Sequence, residues 1–331
     1  MLPAWATAVL YRVRRMELAI AGNGPRHRGM YRFLYKRLRL PRPFVHDLMG
    51  WWRRRGLGAE FDQRRGYAGQ LQATALDLDP ASGYRLIEAG ENAALTRLAE
   101  SCRGLYENFR DSGAADEQLA RNPNKRFLLG VLSGNEFLAH PALVADMVDR
   151  SLLDAAARYL GSVPRLEGAV LWWTPPNETA DSSQQWHIDE LARRQVKILL
   201  NCSDVDDDCG PLHFLPAARS DELRAHMRHR RGRVDEAALT KLIDSGEIVR
   251  ATGPCGSAVM LDSSRCLHFG SRGNLRDRLV LAFHFLPADA PVDTRYHLEP
   301  RDFSGPLATL DRVQRLALRS GLAAAPEAAA G

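Results

Sequence analysis

Apolar residues recur at helical spacing in the first half of the chain and in short strand-like runs in the second. Leu95, Leu98, Cys102, Leu105 and Phe109 stand three and four apart, which predicts an amphipathic helix over residues 93–109. Residues 141–160 continue the pattern with Leu143, Met147, Leu152, Leu153 and Tyr159, and Gly161 is placed to stop that helix. Nearer the start, residues 3–21 and 29–38 mix apolar and basic positions in helix-like fashion. The pattern changes near Pro164. Residues 169–173, 185–189, 195–202, 212–215, 256–262, 266–269 and 279–286 read as strands, bounded by Gly, Pro and Asp turns. Short strands without regular intervening helices predict an antiparallel double-sheet barrel.

The organisation that follows is mixed α+β with a mainly β core. A basic helical N-terminal extension is expected over residues 1–90, the β domain over 91–310, and a C-terminal helix with a fraying tail over 311–331. Within the β domain, residues 217–248 have helical composition and read as an insertion between the candidate ligand strands, placed to cover a pocket mouth or to lie on the barrel rim.

Composition bounds the class. The chain has 331 residues, 45% hydrophobic and 26% charged, as a soluble globular protein has. No run approaches the ~20 apolar residues of a membrane span. The apolar start precedes Arg12, Arg14 and Arg15, the reverse of a secretory leader, and the five cysteines form no CxxC pair. A cytoplasmic, reducing setting is expected. The net charge of +5 hides a split: residues 1–70 carry fifteen basic against four acidic side chains, net +11, and the remainder is net −6. Arginines there alternate with Trp5, Phe33, Tyr35, Trp51 and Trp52. Such a segment is either a helical layer with Arg stems over apolar surface or a peripheral membrane contact. No nucleic-acid motif accompanies the charge, so no nucleic-acid partner is expected; oligomeric state is not legible.

The candidate chemistry lies at His187-Ile188-Asp189. In an extended segment positions i and i+2 face one side, so His187 and Asp189 share a face while Trp186 and Ile188 turn to the core. His268, after the turn at residues 262–265, supplies a second imidazole. Two histidines and one carboxylate are the facial ligand set of non-haem Fe(II), with positions left for a 2-oxo acid and O2. Zinc with water in the same set would make a hydrolase. Arg278, opening the apolar run 279–286, is placed to clamp a co-substrate carboxylate, with Arg276 as a competitor of the same strand parity. Gln185 shares parity with His187, and Lys197 stands inside an apolar strand as an anion-binding candidate. Cys266, His213 and one of Trp172 and Trp173 are further candidates for the interior.

These residues resemble a known pattern. His187-Ile188-Asp189, the run Cys209-Gly210-Pro211-Leu212-His213-Phe214-Leu215-Pro216, and His268-Phe269-Gly270-Ser271 through Arg278-Leu279 are similar to the phytanoyl-CoA dioxygenase family over about residues 160–290. Ala217-Ala218-Arg219-Ser220 replaces the glycine turn and histidine with which that run ends in the family. The resemblance implies a double-stranded β-helix of the jelly-roll, cupin-like kind. It implies Fe(II) held by His187, Asp189 and His268, and 2-oxoglutarate held by Arg278. The implied activity is hydroxylation of an unactivated C–H bond in a small organic, lipid-like or anionic substrate, with release of succinate and CO2. Two other readings stand beside it: a jelly-roll that binds a ligand or membrane surface without turnover, and a His2Asp metallohydrolase.

Overall fold

A computed structural model describes residues 42–121, 127–229, 232–290 and 296–319. The helices expected at 3–21 and 29–38, the tail from 320 and Arg230-Arg231 of the insertion lie outside the described residues. In chain order the elements are α1 (Arg42–Leu57), α2 (Ala59–Ala68), β1 (Tyr84–Ile87), α3 (Ala93–Asp111), α4 (Ala114–Arg121), β2 (Leu129–Ser133), α5 (Pro141–Met147), α6 (Arg150–Leu160), β3 (Arg165–Thr174), β4 (Val196–Asn201), β5 (His213–Phe214), α7 (Ala217–His226), α8 (Glu236–Leu239), β6 (Val249–Arg250), β7 (Ala258–Leu261), β8 (His268–Phe269), β9 (Arg278–Leu286) and α9 (Arg312–Ala317). The strands form an antiparallel six-stranded sheet in the order β1-β7-β4-β9-β3-β2 and a three-stranded sheet in the order β6-β5-β8. Two antiparallel sheets with interleaved strand order make the jelly-roll expected from the sequence.

Helix α3 is the amphipathic helix read from the spacing. Asn92 caps it, its side chain accepting from Leu95 N at 3.0 Å, and Leu95, Leu98 and Cys102 are buried. The single helix expected over 141–160 is instead two. Asp149 leaves helical geometry and accepts from Ser151 N at 3.0 Å, which starts α6 afresh. Gly161 ends α6 in the left-handed region, φ 74°.

Two strands arise in the half expected to be helical. β1 is one edge of the large sheet and β2 the other. Each is short and carries no clean alternation, β2 being bulged against β3. The segment 185–189 is not a strand but an extended stretch with a bridge at His187, paired with His268 on one side and Arg233 on the other.

Alternation sorts the large sheet into two faces. Leu171, Ile198, Leu200, Met260, Leu281, Phe283 and Phe285 pack against Leu95, Leu98, Met147, Leu152 and Leu153 of the helices. The other parity faces the small sheet and lines a cavity: Val170, Trp172, Lys197, Leu199, Ala282 and His284. A second apolar cluster lies beneath the insertion, where Leu223, Val234 and Leu239 meet Trp186, Ile188, Leu215, Leu267 and Phe269. The insertion thus backs the segments that carry His187 and His268. The basic N-terminal segment is partly structural: Arg64 is fully buried and donates to Val163 O at 3.2 Å and Leu316 O at 2.8 Å. Among the described residues no helix is long and apolar enough to cross a membrane.

Candidate metal centre

His187 N donates to His268 O at 3.0 Å, and His268 N returns to His187 O at 2.9 Å. This main-chain pair sets the two imidazole centroids 4.3 Å apart. Asp189, two residues on, comes back to the same side, its N–H bound to Ser263 O at 2.8 Å. Ligand atoms of His187, Asp189 and His268 lie within 4.8 Å of one another, a spacing that one cation can bridge. Trp186 and Ile188, of opposite parity, are buried on the far side.

Both imidazoles are held in the same way. His187 Nδ1 lies 2.7 Å from Gln185 O, and His268 Nδ1 lies 2.9 Å from Cys266 O. A carbonyl only accepts, so Nδ1 carries the proton and Nε2 keeps the lone pair a metal needs. Burial pushes the His268 imidazole down to about 3 and also lowers His187, so both are neutral near pH 7. Burial would raise Asp189, but the Lys197 ammonium on its Oδ2, with the two histidines, holds that carboxyl well below the usual carboxylate range. Two neutral imidazoles and an ionised carboxylate fit a divalent cation with open positions.

A polar layer supports Asp189. Gln195 Nε2 donates to Asp189 Oδ2 at 3.2 Å and to Ser263 Oγ at 2.7 Å. Behind it, Asp262 accepts from Tyr159 Oη at 2.7 Å and Ser264 Oγ at 2.6 Å, and burial pushes its carboxyl up. Gln195 was legible in principle, since it shares parity with Lys197 in the run 195–202 read as a strand. Asp262, Tyr159 and Ser263 carried no sequence signal, because their contacts join distant segments.

Arg278 opens β9 and lines the same cavity; its Nη2 lies 3.5 Å from where a Cβ on Gly270, two residues past His268, would stand. It is 7% exposed, its Nη2 donates to Ser271 Oγ, and its buried Nε has no hydrogen-bond partner among the described residues. Thr174 Oγ1 lies 3.5 Å from the same Ser271 hydroxyl. Burial lowers the guanidinium to about 10, still charged at neutral pH. A buried cation with an unmatched donor beside two hydroxyls is suited to a carboxylate. Arg276 is exposed instead and pairs with Asp206.

The other candidates divide. Lys197 faces the cavity, and the anion it reaches is Asp189. Gln185 meets His187 through its main-chain carbonyl, and its side chain is not part of the cavity lining. Trp172 lines the cavity, while Trp173 packs against Tyr106 on the opposite face. His213 stacks on Phe269, and Cys266 is buried in a small apolar cluster. The cavity encloses about 550 Å³, with Leu129, Val170, Leu191 and Tyr296 among its walls.

Fold and site together define a jelly-roll protein with a candidate two-histidine, one-carboxylate metal centre. No family model and no curated protein matches the chain. Solved structures of similar fold include EctD from S. alaskensis with bound Fe, 19% identical over 71% of this chain and 85% of that chain, TM-score 0.46. They also include the non-heme alpha ketoglutarate dependent carbocyclase SnoK from nogalamycin biosynthesis, 18% identical over 67% and 87%, TM-score 0.41. HygX from Streptomyces hygroscopicus with nickel and 2-oxoglutarate bound is 16% identical over 64% and 88%, TM-score 0.40.

Proposed function

We propose that the protein is an Fe(II)- and 2-oxoglutarate-dependent oxygenase that hydroxylates a C–H bond of a small organic substrate. The observation that carries this reading is one cavity holding both His187, Asp189 and His268 and the buried Arg278, whose Nε is unmatched among the described residues. The triad alone suits iron or zinc; the anion-seeking arginine in the same cavity is what a hydrolytic site would not need. Bound iron and 2-oxoglutarate would supply oxygen activation coupled to decarboxylation, with succinate and CO2 as co-products.

The chain's own residues do the positioning. His187 and His268 present Nε2 because their Nδ1 protons are committed to main-chain carbonyls. Asp189 offsets one unit of metal charge. Arg278, with Ser271 and Thr174, receives the distal carboxylate of the keto acid. Leu129, Val170 and Leu199 exclude water from the reacting end, and Trp172 and Tyr296 wall the space left for an organic substrate.

The test is oxygen-dependent conversion of 2-oxoglutarate to succinate by protein loaded anaerobically with Fe(II). Asp189→Ala should reduce it to background. Succinate formation undiminished in that variant removes the assignment. Hydrolytic activity that needs zinc and ignores oxygen favours the metallohydrolase.

A further inference from the structure

Two donors converge on one oxygen of Asp189. Lys197 Nζ and Gln195 Nε2, the latter at 3.2 Å, both fall on Oδ2. Gln195 is fully buried and tied by the same Nε2 to Ser263 Oγ at 2.7 Å, while its own Oε1 is buried with no hydrogen-bond partner among the described residues. The carboxylate fixes that amide's orientation, since the reversed amide would aim a carbonyl oxygen at Asp189. Lys197 is the second residue of β4, on its cavity face, between Val196 and Ile198, which are buried on the other. A cation there opposes a bound dication. Its placement is favourable where it neutralises the carboxylate oxygen that the metal does not use.

We propose that Lys197 and Gln195 clamp Asp189 Oδ2 and hold this carboxylate as a one-oxygen metal ligand, with Oδ1 directed to the cation. The inference rests on the reading of His187, Asp189 and His268 as a metal centre. A carboxylate with both oxygens available closes over a metal and fills a further coordination position. With Oδ2 tied, that position stays open for co-substrate oxygens. Lys197 is therefore a positioning residue: it acts through Asp189.

Co(II) is the probe, titrated into metal-free protein and followed by visible absorption and calorimetry. Lys197→Met should bind Co(II) about tenfold more tightly, because a like charge is gone and the second oxygen is released. Its d–d absorption should be weaker than wild type as coordination number rises. Lys197→Arg, which keeps charge and donor, should restore the wild-type spectrum, and Gln195→Leu should shift it in the same direction as Lys197→Met but less. Circular dichroism checks that each variant is folded; Lys197→Gln, which also removes the charge, serves if the methionine variant is not. A loaded spectrum unchanged by loss of the lysine charge, whatever the affinity, overturns the clamp. A wild-type chain that takes up no Co(II), or binds it as well as Asp189→Ala does, overturns the metal centre itself, a separate result.

Discussion

Arg278 shows how much one buried side chain decides. Its guanidinium is nearly inaccessible, yet its Nε has no acceptor among the described residues. A carboxylate that supplies one makes a charge-assisted pair, and losing one side of such a pair costs ~2–5 kcal/mol. Arg278→Met should therefore raise the KM for 2-oxoglutarate about 100-fold, at ~1.4 kcal/mol per tenfold, and leave Co(II) affinity near wild type. Equal KM values for the two proteins would move the co-substrate elsewhere. The histidines make a second statement at this scale. His268 takes up a proton near pH 6.5 when unfolded but only near 3 when folded. Between those values the unfolded chain binds more protons, so its stabilising share is complete above about 6.5 and falls as pH drops, by ~1.4 kcal/mol per unit. Asp189, held low in the fold, adds a loss of the same sign below about pH 4. Urea midpoints of chelator-treated protein should decline from neutral pH toward about pH 5, and His268→Gln should flatten that slope.

Elements place these residues through parity and bulges. On β9, Leu279, Leu281, Phe283 and Phe285 face the helices, so Arg278, Ala282 and His284 must face the cavity. β3 follows the same rule only after a bulge between Leu166 and Gly168 inserts one residue. Gly168 then lies against the main chain of the segment that carries Tyr296 and His297, and a Cβ there would stand 2.1 Å from Tyr296 O. Gly168→Ala must push that segment away from the cavity wall. It should cost ~1–3 kcal/mol of stability, as overpacking does, and loosen the substrate side of the cavity with little effect on metal affinity. Thermal unfolding together with Co(II) titration tests both parts; a variant as stable as wild type would mean that the contact yields freely.

At the scale of the molecule, the far end of the barrel is held by buried charge. Arg165 and Glu167 are 1% and 0% exposed and paired at 2.5 Å. Arg165 Nη1 also donates to Ala288 O at 3.0 Å and Ala290 O at 2.9 Å, which ties the start of β3 to the chain leaving β9. Removing one partner of such a pair strands the other charge, so Glu167→Gln should destabilise the fold by ~3–5 kcal/mol. Denaturant unfolding measures it, and a loss under about 1 kcal/mol would show the pair to be replaceable. Helices α3, α5 and α6 cover one face of the large sheet, and the insertion supports the other end of the site through Leu223, Val234 and Leu239. The cavity is therefore bounded by two independently packed apolar layers.

Local pattern was enough for part of this. Helix α3, the strands β3, β4, β7 and β9, and the shared face of His187 and Asp189 are local consequences of side-chain periodicity, which repeats within a few residues. The edge strands β1 and β2 were not legible, because a short, half-exposed strand has no strong pattern and exists by pairing with a distant one. The break at Asp149 was hidden for a related reason: capping competes with an apolar period that runs straight through it. His268 could be named from the chain, but its union with His187 is a main-chain pairing across some eighty residues. The choice of Arg278 over Arg276 was equally non-local: both share parity, and only the packed sheet buries one and leaves the other in solvent beside Asp206. Periodicity is written into the sequence one residue after another, whereas burial and long-range pairing exist only once the two sheets have closed over the cavity.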